Sequence, residues 1–73
     1  MKKNELYPNI WKTSDNSIIS CKEKILILNN NVIELQSLIN QIYDEAILMG
    51  VDKKQIKKVI SNLATNLNTE LKG

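Results

Sequence analysis

Cys21 sits beside Lys22 and Lys24 at the head of a helical stretch. Nearby cations and the positive end of a helix dipole both favour a thiolate, so Cys21 is a candidate reactive thiol. The chain has no histidine to act as its base and no second cysteine to resolve an oxidised state. The thiol chemistry open to it is therefore that of a sensor, set against the plainer reading of a small side chain packed beneath helices. A second cluster is Lys53, Lys54, Lys57 and Lys58, at the start of the second helical stretch, where positive charge is least welcome to the dipole. Such a patch suits an acidic protein or nucleic acid, unless Asp44, Glu45 and Asp52 screen it across the turn. The carboxylates form no catalytic pair: Asp44 and Glu45 are adjacent and point about 100° apart on a helix.

No Gly-rich phosphate loop, nucleophile elbow or metal-ligand spacing occurs. The expectation is a non-enzymatic chain with no cofactor and no metal. Ten lysines, no arginine, ten asparagines and eleven isoleucines suggest an AT-rich coding genome, so lysine count alone carries little functional weight. A net charge of +2 gives nucleic acid no support from composition. Ile25 to Leu28 is the longest strictly apolar run, far short of the roughly 20 residues that span a bilayer. No apolar run of signal-peptide length precedes Pro8. A cytoplasmic protein with a reduced thiol is expected.

The elements that must carry these residues are helical. Ile25, Leu28, Val32, Leu35, Ile39, Ile42, Ala46 and Met49 alternate in steps of three and four, a heptad seam for helix packing. Ser20 with Glu23 forms a capping box, Gly50 suits a left-handed helix end, and Asp52 with Gln55 starts a second helix. The reading is a helix over 21–49, a turn at 50–52 and a helix over 53–71, within a hairpin domain of 20–73. Asn29, Asn30 and Asn31 are three poor helix formers in succession, and Asn31 with Glu34 offers an internal cap. The step from Leu28 to Val32 keeps the register and favours one continuous helix.

Residues 1–19 read as an N-terminal arm. A β-hairpin at 10–19 is expected from the β-branched and aromatic runs flanking Ser14 to Ser17, with Trp11, Ile18 and Ile19 as anchors on the helices. Helix 1 is about 44 Å long against about 28 Å for helix 2, so its first ten or so residues need another cover. Leu6, Tyr7 and the anchors can supply it, and so can a second subunit. Because Leu26, Ile33, Ile47, Leu38 and Tyr43 widen the apolar face, the expected assembly is a homodimer with a four-helix core. Its interface would be Ile25, Leu28, Val32, Leu35, Ile39 and Ile42. The fold class is thus all-α, an antiparallel helical hairpin with an N-terminal extended or β-hairpin arm.

The stretches Trp11 to Asn16, Ser20 to Ile25, Leu28 to Asn31 and Ala46 to Gly50 together resemble a group of small uncharacterised bacterial proteins with a W-x-T-x-D-G turn, S-C-x-E-K-I-x-x-L-N and A-x-L-M-G. The likeness covers about residues 11–60, with Asn16 where the pattern has glycine. It implies a bacterial cytoplasmic source and transfers no activity. The functional expectation is a protein–protein interaction or assembly factor, with an unidentified protein partner and no membrane. The alternatives are a nucleic-acid-associated regulator using the lysine patch and a thiol-based sensor.

Overall fold

The computed structural model describes residues 7–71. Leu6, expected to help cover helix 1, lies outside them. The chain is all-helical: α1 spans Lys22–Leu48, α2 spans Lys53–Thr65, and no strand is present among the described residues. It divides into two compact units, Met1–Asn40 and Gln41–Gly73, and α1 contributes to both.

In the first unit α1 runs unbroken through Asn29, Asn30 and Asn31. The Asn29 side chain is engaged elsewhere: its Oδ1 accepts the Trp11 indole N–H at 2.7 Å, so it does not compete for the helix backbone. Ahead of α1 the chain makes a tight reversal. Thr13 N donates to Ser17 O, Asn16 N donates to Thr13 O, and Ile19 N donates to Trp11 O. Asn16 takes the left-handed conformation, with φ 73°. Within the reversal the Asp15 carboxylate accepts from the Thr13 hydroxyl and the Ser17 amide, and these bonds hold its pKa below the ordinary value. In place of the expected hairpin at 10–19 there is one antiparallel bridge, between Lys12 and Ile18. The ladder has no room to grow, because α1 begins only four residues after Ile18.

In the second unit α1 ends in a Schellman motif. Val51 N donates to Ala46 O at 2.9 Å, Gly50 N donates to Ile47 O at 3.0 Å, and Gly50 has φ 91°. Asp52 then caps α2, its Oδ2 accepting from Gln55 N. Antiparallel α2 packs on the last turns of α1, where Tyr43, Ile47, Val51, Ile56 and Ile60 are half-buried and Ala46 is buried.

Helix 2 was expected to reach residue 71 and stops at Thr65. The chain there is rich in side chains that bond to their own backbone. Thr65 Oγ1 donates to Ser61 O, and Asn66 Nδ2 donates to Asn62 O from a C-cap residue at φ −96°. Leu67 and Leu71, expected on the packed face, lie past this end and are exposed.

Candidate functional site

The surface to be explained is apolar. Ala46 is the only buried residue among the described residues, whereas Leu26, Ile27, Ile33, Leu35, Leu38 and Ile42 of α1 are all exposed. The covered stripe of α1 comprises Ile25, Leu28, Asn29, Val32, Gln36, Ile39, Tyr43, Ala46 and Ile47. Of the six expected interface residues, Ile25, Leu28, Val32 and Ile39 are thus partly covered within the chain, but Leu35 is 55% exposed and Ile42 44%. The seam departs from the heptad for a geometric reason. A straight helix drifts about 20° per heptad relative to a 3.5-residue repeat, so the series Leu28, Leu35, Ile42, Met49 rotates off the covered face. The series Asn29, Gln36, Tyr43 rotates onto it.

The arm is anchored by Trp11, half-buried and bonded to Asn29, and by half-buried Ile19. Ile18, expected as a third anchor, is 62% exposed because neighbouring residues of an extended segment point to opposite sides. Between the arm and α1 lies a cleft of about 320 Å³, lined chiefly by Tyr7, Pro8, Ile10, Trp11, Ile19 and Ile25. Asn29 was missed as a site residue. Its only sequence signal is a polar side chain one step from Ile25 and Val32 on an apolar face.

Cys21 immediately precedes α1, and the carbonyl of Cys21 accepts the first helical bond from Ile25 N. Because α1 starts at Lys22, Cys21 and not Ser20 stands immediately before the helix. The backbone amides of Lys24 and Glu23, and to a smaller degree the Lys24 charge, push the Cys21 thiol pKa down. The side chain is exposed, which corrects the reading of a residue packed beneath helices.

The four lysines of α2 separate by role. Lys57 Nζ lies 5.9 Å from the centroid of the Tyr43 ring, a cation–π contact. Lys53, Lys54 and Lys58 are exposed. Asp52 spends its carboxylate on the α2 cap, and among the described residues no lysine is ion-paired with a carboxylate. The screening expected from Asp44, Glu45 and Asp52 is therefore not made by direct contact.

Among the described residues no helix is long and apolar enough to cross a membrane. Compared with known proteins, the chain matches no family, no curated protein and no solved structure.

Proposed function

We propose that this chain is a non-enzymatic interaction or assembly factor, whose exposed helical face is completed into a bundle by helices of a protein partner. The observation that carries the reading is the row of aliphatic side chains, Ile27, Leu35, Leu38 and Ile42, left exposed on α1 beside its covered stripe. Isolated apolar residues on a surface are ordinary; a contiguous row along one helix is the mark of an interface. Each of these side chains is about half exposed, so covering it recovers roughly 0.8–1.5 kcal/mol, half the value of full burial. The covalent and acid–base routes have no comparable support, since Cys21 stands without a second reactive group and the acidic residues do not converge.

The test is in-cell crosslinking of the tagged native chain and of the variant Leu35→Ser/Leu38→Ser, which removes two exposed side chains and leaves the covered stripe intact. A protein adduct formed by the native chain and lost from the variant is the expected result. Adducts of equal yield from both chains, or recovery of nucleic acid without protein, would refute the reading.

A further inference from the structure

We infer that the cleft between the arm and α1 is a binding site for a small, uncharged, planar heteroaromatic molecule that carries a hydrogen-bond acceptor. Both walls belong to the compact unit Met1–Asn40, and none of the exposed aliphatic side chains Ile27, Leu35, Leu38 and Ile42 lines the cleft.

Size and charge set the class of ligand first. At about 320 Å³ the cleft lies at the lower end of small-molecule sites, and an apolar cavity of about 150 Å³ already holds benzene, so one or two fused rings fit. No acidic or basic side chain lines it among the described residues. A charged ligand would give up its hydration there without a counter-ion, which selects a neutral one. Tyr7 and Trp11, both half-buried, supply aromatic surface, while Pro8, Ile19 and Ile25 supply aliphatic surface.

Asn29 sets the polarity. An indole N–H can only donate, so the Trp11 bond commits Asn29 Oδ1 as its acceptor and leaves Nδ2 as the donor. Nδ2 donates to no other group among the described residues. A ring nitrogen or carbonyl oxygen on the ligand is the complement to that half-buried donor. Trp11 is held twice, through its indole and through its carbonyl, which accepts Ile19 N at 2.9 Å. Aromatic wall and donor are therefore in place before a ligand arrives, which lowers the ordering cost of binding.

Nuclear magnetic resonance on the isotope-labelled full chain is the test, since Trp11 is the sole tryptophan and its indole N–H signal is unambiguous. The probes are quinoline, neutral near pH 7 with a ring nitrogen as acceptor, naphthalene, which has the same shape and no acceptor, and quinaldate, the carboxylate of quinoline. Quinoline is expected to shift the Trp11 indole and Asn29 Nδ2 signals saturably, with a dissociation constant of roughly 0.1–1 mM for a ligand of about ten heavy atoms. Quinaldate should bind at least about tenfold more weakly. The Asn29 Nδ2 protons should move downfield with quinoline and not with naphthalene. Asn29→Asp keeps an oxygen for Trp11 and exchanges the NH₂ donor for an acceptor. It is expected to weaken quinoline about tenfold and naphthalene by less than about threefold.

The absence of a saturable quinoline shift at Trp11 in the native chain overturns the inference, and so does quinaldate binding as tightly as quinoline. Asn29 Nδ2 protons that respond alike to quinoline and naphthalene overturn it too. That comparison uses the native chain alone, so it decides the role of Asn29 even if the Asn29→Asp arm comes loose.

Discussion

The bond between Trp11 and Asn29 fixes the arm on α1, and its contribution can be isolated because a neighbouring asparagine supplies the control. Asn29→Ala has two opposed effects. It gains helix propensity, about 0.6 kcal/mol for asparagine replaced by alanine in a helix interior. It also loses a half-buried hydrogen bond of 2.7 Å, which is worth roughly 0.5–1.5 kcal/mol net. Asn30→Ala, at an exposed position one residue on, makes the propensity gain alone. The difference between the two variants is therefore the hydrogen bond, about 1 kcal/mol, or about 4–8 °C in Tm for a domain of this size. Thermal unfolding by circular dichroism reads the difference, and fluorescence of Trp11, the sole tryptophan, reads the arm directly. Asn30→Ala is expected to be more stable than the native chain, with unchanged emission. Asn29→Ala should be neutral or less stable, with emission shifted to the red as the indole gains solvent. Equal Tm values for the two variants, together with identical emission, would show that the bond holds nothing in place.

Two further outcomes follow from the helix ends. Gly50→Ala meets nothing within 4 Å of the new Cβ, so its cost is purely the left-handed backbone at φ 91°, about 1–2 kcal/mol. Gly50→Asn is expected to lose less, and a Gly50→Ala chain as stable as the native one, measured by thermal unfolding, would contradict the assignment. Because backbone amides stabilise its thiolate, Cys21 is expected to react with iodoacetamide at a midpoint pH below that of the same chain in denaturant. Coincident pH profiles for folded and unfolded chain would contradict that stabilisation.

Local chemistry proved readable in the sequence where one residue decides the outcome. Gly50 and Asp52 are such cases: a left-handed end and a side-chain cap each depend on a single side chain and its immediate backbone. The start of α1 was displaced by one residue because Ser20 and Cys21 can both accept from the first-turn amides, and a rule that ranks only oxygen acceptors chooses the serine. The end of α2 was overextended for a related reason. Apolar spacing carried through Leu67 and Leu71, but the Thr65 and Asn66 side chains offer the Ser61 and Asn62 carbonyls competing partners. Asn29 could not be assigned from the sequence, since its partner Trp11 lies eighteen residues away and only the folded arm brings them together.

Along α1 a small difference in period decides which side chains are covered and which are exposed. A strict 3.5-residue seam would place Leu28, Leu35 and Ile42 on the face that packs within the chain, leaving little on the outside. The 3.6-residue helix rotates Leu35 and Ile42 outward and turns Gln36 and Tyr43 inward. The same drift that spoils one continuous seam therefore creates a second one, with Leu38 at its centre.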